Sequence, residues 1–181
     1  MNILKGTRVY TCGALQFGNF DNAVKWRQVL KDHFSPLGIK VLSPMDEVFH
    51  NFPKESEMSF TEIKKLLAEG DHEEAHAKSK VLRNKDLAMI DNSTFIIAVL
   101  EPGIPTYGTI DEILTAKRAQ KPVFLVINGG YKNIPVWLAS YFKPSWVYSD
   151  LAEVVLRVRD IDSGKIPINT EYWRIFSEEF R

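Results

Sequence analysis

Cysteine is almost absent from this chain of 181 residues: Cys12 is the only one. That excludes an internal disulfide and a multi-cysteine metal site. Cys12 falls inside a run that reads as a strand, and is expected to be a small buried hydrophobe. Net charge is absent as well, with 23 Lys and Arg against 23 Asp and Glu. No global field therefore draws the chain to nucleic acid or to an anionic membrane, and neither is expected as a partner. No apolar run approaches the roughly 20 residues of a membrane span. The opening stretch MNILKGTRVYTCGAL lacks the long apolar core and small-residue cleavage site of a signal peptide. A reducing cytoplasm is the expected setting. The chain also has no internal repeat and no low-complexity segment.

What is present is an ordinary globular balance, 45% hydrophobic and 25% charged, on a length that suits a single domain over residues 1–181 with a real core. The organising stretch runs from Ser93 to Ile127. Phe95 to Leu100 and Val123 to Ile127 are wholly apolar, as in strands buried on both faces of a parallel sheet. Between them, Pro102, Gly103, Pro105 and Gly108 make a loop. Thr109 is then expected to cap a helix that buries Ile113, Leu114 and Ala116. This is a βαβ unit with a right-handed crossover, and ligands of such units sit at the carboxyl ends of the strands.

An earlier βαβ opens the chain. Arg8 to Cys12 is a strand; Gly13 and Gly18 flank a loop; Asp21 to Phe34 is a helix with Ala23, Trp26, Leu30 and Phe34 at helical spacing; IKVLSP is a second strand. From Met45 to about Lys80 the sequence turns charged and poor in β-branched residues. Ser59 and Glu62 form a capping-box pattern, Gly70 breaks that helix and Asp71 caps the next. This is a helical insertion over the sheet edge, either a lid or a solvated decoration. After the central unit come a loop at NGGYKNIP, a short helix at VWLASYF, a strand at SWVYS and a helix capped by Asp150 and Glu153. A final amphipathic helix at TEYWRIFSEEF is expected to place Tyr172, Ile175 and Phe176 on one side. The expected fold class is α/β: Rossmann-like, doubly wound, with a mainly parallel five-stranded sheet and helices on both faces.

Residues His72 to His76, HEEAH, match the HExxH zinc pattern. Their polar flanks and the lack of a downstream third ligand favour an exposed helix, and no metal or other cofactor is expected. Glu112 is the more promising group. As a Thr109-x-x-Glu112 pair it is a capping box; as a carboxylate in the first turn, ionised by the helix dipole, it could attack an electrophilic carbon at the strand-end crevice. Asp86 and Asp91 precede the central strand. Asp91 also suits a turn and Asp86 a solvated helix. Tyr10, toward the carboxyl end of the first strand, is either core or a hydroxyl turned to a ligand. Lys5, Arg8 and Arg83 are phosphate partners or surface charges.

Four features together resemble the nucleoside 2-deoxyribosyltransferase family: VYTCGAL at the start, an Asp-x-x-x-x-Asp pair before the middle strand, YGTIDEI after it, and AKRAQKPVFLVI next. The likeness spans about Arg8 to Ile127 outside the insertion. It implies that Glu112 is the nucleophile of a covalent deoxyribosyl intermediate. Tyr10 would position that carboxylate, and Asp86 would contact or protonate the departing base. Asp91 would be the second family aspartate, and Gly108 and Thr109 would shape the loop around the sugar. Gly13 joins these as a substrate-binding candidate. Six residues before the nucleophile, where the family commonly has an aspartate for base or sugar, this chain has Thr106. The family borrows an asparagine and a carboxyl terminus from a neighbouring subunit; Asn133 is the candidate for the former, and the ending SEEFR does not match the latter. The implied partners are a small-molecule nucleoside or nucleotide and a free base, with a homo-oligomer as the assembly. PGIPTYGTIDE also resembles the Pro-Gly-Gly-x-Gly-Thr-x-x-Glu loop of the "lonely guy" phosphoribohydrolases, which gives hydrolysis of a nucleoside 5′-monophosphate as the alternative. A nucleotide-binding module without turnover is the third reading.

Overall fold

The computed structural model describes residues 2–15, 19–46, 57–104 and 106–178, with residues 57 and 58 described by their backbone alone. In chain order the regular elements are β1 (Arg8–Gly13), α1 (Phe20–Phe34), β2 (Lys40–Leu42), α2 (Glu57–Glu69), α3 (His72–Asp91), β3 (Phe95–Leu100), α4 (Tyr107–Arg118), β4 (Val123–Ile127), α5 (Val136–Ala139), β5 (Val147–Tyr148) and α6 (Leu151–Asp162). The strands form one five-stranded sheet in the order β2-β1-β3-β4-β5. Every pairing is parallel. This is one of the common doubly wound orders, and its switch point lies between β1 and β3.

The uninterrupted apolar runs are explained by two cores. Successive strand residues point to opposite faces. Val9, Phe95, Ile97, Phe124 and Val126 pack with Leu30 and Phe34 of α1 and with Val154 and Val158 of α6. Tyr10, Ile96, Ala98, Leu125 and Ile127 pack with Met89 and Ile90 of α3, Ile113 and Ala116 of α4, and Leu138 of α5. Cys12, on β1, is 1% exposed and belongs to the second core. A strand covered on both sides has no polar face to show, so no alternation survives in the sequence.

The ends of α1 and α6 are specified locally. Asn19 accepts from the Asn22 amide at the start of α1. At α6, Asp150 accepts from the Glu153 amide while the Glu153 carboxylate accepts from the Ser149 amide, a near relative of the capping box. Two expected starts are wrong. Ser59 lies inside α2, which begins by Glu57, so it is not an N-cap. Thr109 is buried within α4, whose N-cap position is Thr106. The helix starts earlier because Thr106 leaves the helical region at φ −134° and ψ 55°.

The tail differs from its expected helix. Over the described residues it forms a turn and one 3-10 stretch, Arg174–Phe176. Trp173, 2% exposed, is its anchor, tilted against Phe95 with centroids 5.3 Å apart and near Phe124. Ile175 is 55% exposed instead of packed. Burying one large aromatic is worth about 2–3 kcal/mol, which fixes the segment without helical periodicity.

Candidate active site

The carboxyl end of β1 and Thr106, in the loop that follows β3, line a pocket of about 370 Å³. Its floor is β1 at Cys12 and Gly13, one wall is the start of α4, and the other is α3 capped by α2. From α3 come Ser79, Leu82, Arg83, Asp86 and Leu87, residues three and four apart that share one helical face. From α2 come Phe60 and Ile63. The insertion expected to be either lid or decoration thus covers the site: α2 packs along α3 and is tied to it by the Lys78–Glu62 ion pair at 3.2 Å. The part of that insertion at residues 47–56 lies outside the described residues.

Glu112 sits on the inward side of the second turn of α4, because the helix begins at Tyr107. The helix dipole fades within the first turn, so it is not what governs this carboxyl. Burial dominates, and with the Asp86 charge beside it raises the Glu112 pKa from 4.5 to about 8, against the lowering effects of the Tyr10 hydrogen bond and of Arg27. Tyr10 is fully buried, and its hydroxyl donates to Oε1 of Glu112. Burial, then Glu112 and Asp86, push the phenol well above its ordinary value, so it stays a neutral donor. Cys12 beside them is likewise pushed up by burial first, which keeps a thiol, not a competing thiolate, in the pocket wall.

Other expected residues divide cleanly. Gly13, Asp86, Thr106, Gly108 and Thr109 all line the pocket with Glu112. A Cβ on Gly108 would meet nothing within 4 Å, so that glycine leaves the mouth open and is not demanded by backbone packing. Asp91 does not join them. It is the exposed last residue of α3, close before the amino-terminal end of β3 and thus at the end of the sheet opposite to the pocket, where its carbonyl accepts from Nζ of Lys121 at 3.0 Å. Asn133 follows β4 but bonds back to the Asn128 carbonyl at 2.7 Å and is not part of the pocket of its own chain. Lys5 and Arg8 are exposed at the amino-terminal side of β1. Arg83 does line the pocket, where it is paired with Asp111 at 2.9 Å.

His72 and His76 are exposed at the start of α3. Among the described residues no group of three or more His, Cys, Asp or Glu is placed to hold a metal ion, and no helix is long and apolar enough to cross a membrane.

Sequence reasoning missed Arg27, which is 2% exposed and contributes to the pocket wall. A signal for it existed. Ala23, Arg27, Leu30 and Phe34 step by four, three and four, and these are the buried residues of α1. Trp26, expected on the buried face, is only partly buried. Asp111 was missed too, since its position beside Glu112 looks like a solvated helix surface.

Fold and site together define a doubly wound α/β protein with a pocket at its switch point, built on a half-buried carboxyl held by a tyrosine. The model of the family described as "Nucleoside 2-deoxyribosyltransferase" matches residues 9–134, and the chain belongs to that family. Its members are enzymes that transfer glycosyl groups, acting on nucleosides and bases. No curated protein matches the chain closely enough to count as a relative.

Proposed function

We propose that this protein transfers 2-deoxyribose between nucleobases by double displacement, with Glu112 as nucleophile. The observation that carries the reading is the Tyr10–Glu112 hydrogen bond at the base of the switch-point pocket, in a chain whose family match covers both residues. One Glu112 oxygen is held by the phenol, which leaves the other to attack the anomeric carbon. The C–N bond to the base breaks as the glutamyl ester forms, and the transition state is oxocarbenium-like. The absence of a 2-hydroxyl favours it by removing an electron-withdrawing group. Asp86, on the facing wall, delivers the proton to the departing base. A second base then attacks the ester from the opposite side, and two inversions give net retention.

Burial serves this chemistry in two ways. Exclusion of water once substrate fills the pocket disfavours water as the second acceptor, which would make the protein a hydrolase. It also keeps two carboxyls from both ionising cheaply, so the proton needed by the base stays in the pocket.

We also propose that the protein is a cytoplasmic homo-oligomer of this one domain. The tail offers no support for assembly, since Trp173 packs on its own core. The supporting surface is α5 and its surroundings, where Val136 is 92% and Trp137 77% exposed. Asn133 adjoins that surface, and so its place as a substrate-binding residue is in a neighbour's pocket. A monomeric mass in solution would remove this part of the proposal.

The deciding experiment is incubation with a deoxynucleoside plus a different free base, resolved by chromatography, and repeated with the 5′-monophosphate donor. A new nucleoside, absent with Glu112→Gln, is the expected result. Free base alone would mean a hydrolase, and a preference for the phosphorylated donor would bring the phosphoribohydrolase reading forward. No turnover of either donor would leave a binding module.

A further inference from the structure

We propose that Arg27 is a positioning residue of this site: its buried guanidinium, brought over the end of β1 at Gly13, supplies the positive field in which Glu112 works as a carboxylate. The inference rests on the role given above to Glu112.

Helix α1 packs on the face of the sheet opposite to α3 and α4. Its side chains have no direct path to a pocket whose walls are α3 and α4. Arg27 gets there at the strand end. Its Nη1 donates to the Ala23 carbonyl at 3.0 Å and its Nη2 to the Gly13 carbonyl at 3.3 Å. The guanidinium carbon lies 4.2 Å from the centre of the Trp26 ring. Gly13 makes this possible. A Cβ there would sit 3.1 Å from the Val99 carbonyl oxygen and 3.2 Å from Cζ2 of Trp26, so a side chain would press on the ring that the guanidinium rests on.

A guanidinium 2% exposed is costly unless its charge is used. Charge of the opposite sign is close by. Glu112 is faced by Asp86 from α3, by Tyr10 and Cys12 from β1, and by its neighbour Asp111, which Arg83 already neutralises. Arg27 is the cation whose field opposes Asp86 at Glu112, and it acts in the same sense on Cys12. Backbone carbonyls fix its fork, so the field has a set direction and no substrate group need displace it.

The test compares Arg27→Met, Arg27→Gln and Arg27→Lys. Two readouts are used: the pH dependence of kcat/KM for deoxyribosyl transfer, and carbon-13 NMR titration of the Glu112 carboxyl, assigned by its loss in Glu112→Gln. Both neutral variants are expected to move the ionisation of Glu112 upward by about half a pH unit or more, while Arg27→Lys keeps it near that of the unmodified protein. Folding of each variant is checked by thermal melting, and either neutral variant suffices if the other does not fold. A folded neutral variant with unmoved titration overturns the proposal, as does a lysine variant that titrates like the neutral ones. The NMR arm needs no turnover. If Glu112→Gln proves fully active, the catalytic reading fails, while the titration still decides whether Arg27 sets the field at Glu112.

Discussion

Tyr10 and Glu112 are 102 positions apart in the chain and share one hydrogen bond. The strand pleat places Tyr10 on the α4 face of β1, and the early start of α4 turns Glu112 inward to meet it. The bond favours the carboxylate form of Glu112 against the burial that opposes it. Tyr10→Phe removes that aid and leaves the ring. A hydrogen bond to a charged group contributes about 1.5–3 kcal/mol, so kcat is expected to fall about tenfold to a hundredfold, with KM little changed. The rise of kcat/KM with pH should also move to higher pH. An unmoved profile would show that the hydroxyl does not act on Glu112.

The pH profile of the unmodified protein follows from the same carboxyl. Glu112 must be ionised to attack, and it ionises at about 8, while Asp86 must still hold the proton for the base; kcat/KM is therefore expected to climb through neutral pH and to fall above about 8, where the two carboxyls have lost their last proton. Asp86 raises that value, so Asp86→Asn should shift the climb downward. It should also cost the proton for the base. The two effects separate with donors of different leaving group. Transfer from an ordinary deoxynucleoside should drop by about a hundredfold or more. An activated deoxyribosyl donor whose leaving group departs unprotonated should be nearly unaffected at pH 6–7. Equal losses with both donors would remove Asp86 as the proton source.

How much of this could be read from the sequence depended on what each residue was competing with. The short, wholly apolar runs of β3 and β4, bounded by turn formers, read as doubly covered strands, and they led directly to the switch point and to the parallel sheet. Glu112 was legible as a position but not as an environment. Thr109 and Glu112 imitate a capping box, which put the carboxyl in the first turn under the dipole, whereas Thr106 precedes a helix that carries Glu112 in its second turn, half-buried against Tyr10. Asp91 shared a motif with Asp86, but one helical face cannot carry both to the pocket. Arg27 was hidden by its type, since an arginine in an amphipathic helix usually marks the wet side. Only the pleat and the glycine at the end of β1, which need coordinates to be seen together, show why this one is dry.

Glu112 also carries a stability cost with a defined sign. In the unfolded chain it ionises near 4.5 and in the fold at about 8, so between those values the folded state holds more proton and stability falls as pH rises. The penalty is absent below about 4.5 and complete above about 8. Glu112→Gln cannot ionise and escapes it. Its melting temperature should match that of the unmodified protein at pH 4 and exceed it at pH 8.5, where the difference in unfolding free energy is on the order of a few kcal/mol at most. A variant that is less stable at both pH values would mean that the carboxyl is not held protonated by the fold.

The α2 wall makes the last prediction. Phe60 and Ile63 are only partly buried in the free protein, yet they line the pocket on the side that carries Asp86. If Asp86 meets the departing base, an aromatic ring on this wall is placed to pack against the base and not against the sugar. Base–aromatic stacking is worth about 1–3 kcal/mol, whereas truncating a half-exposed side chain costs the fold about 1 kcal/mol or less. Phe60→Ala should therefore raise KM for donor and acceptor bases severalfold to about a hundredfold, larger for purines than for pyrimidines, with the melting temperature almost unchanged. Steady-state kinetics with paired purine and pyrimidine substrates measures both numbers. A loss of kcat with unchanged KM would place the base elsewhere and return α2 to a structural cover on α3.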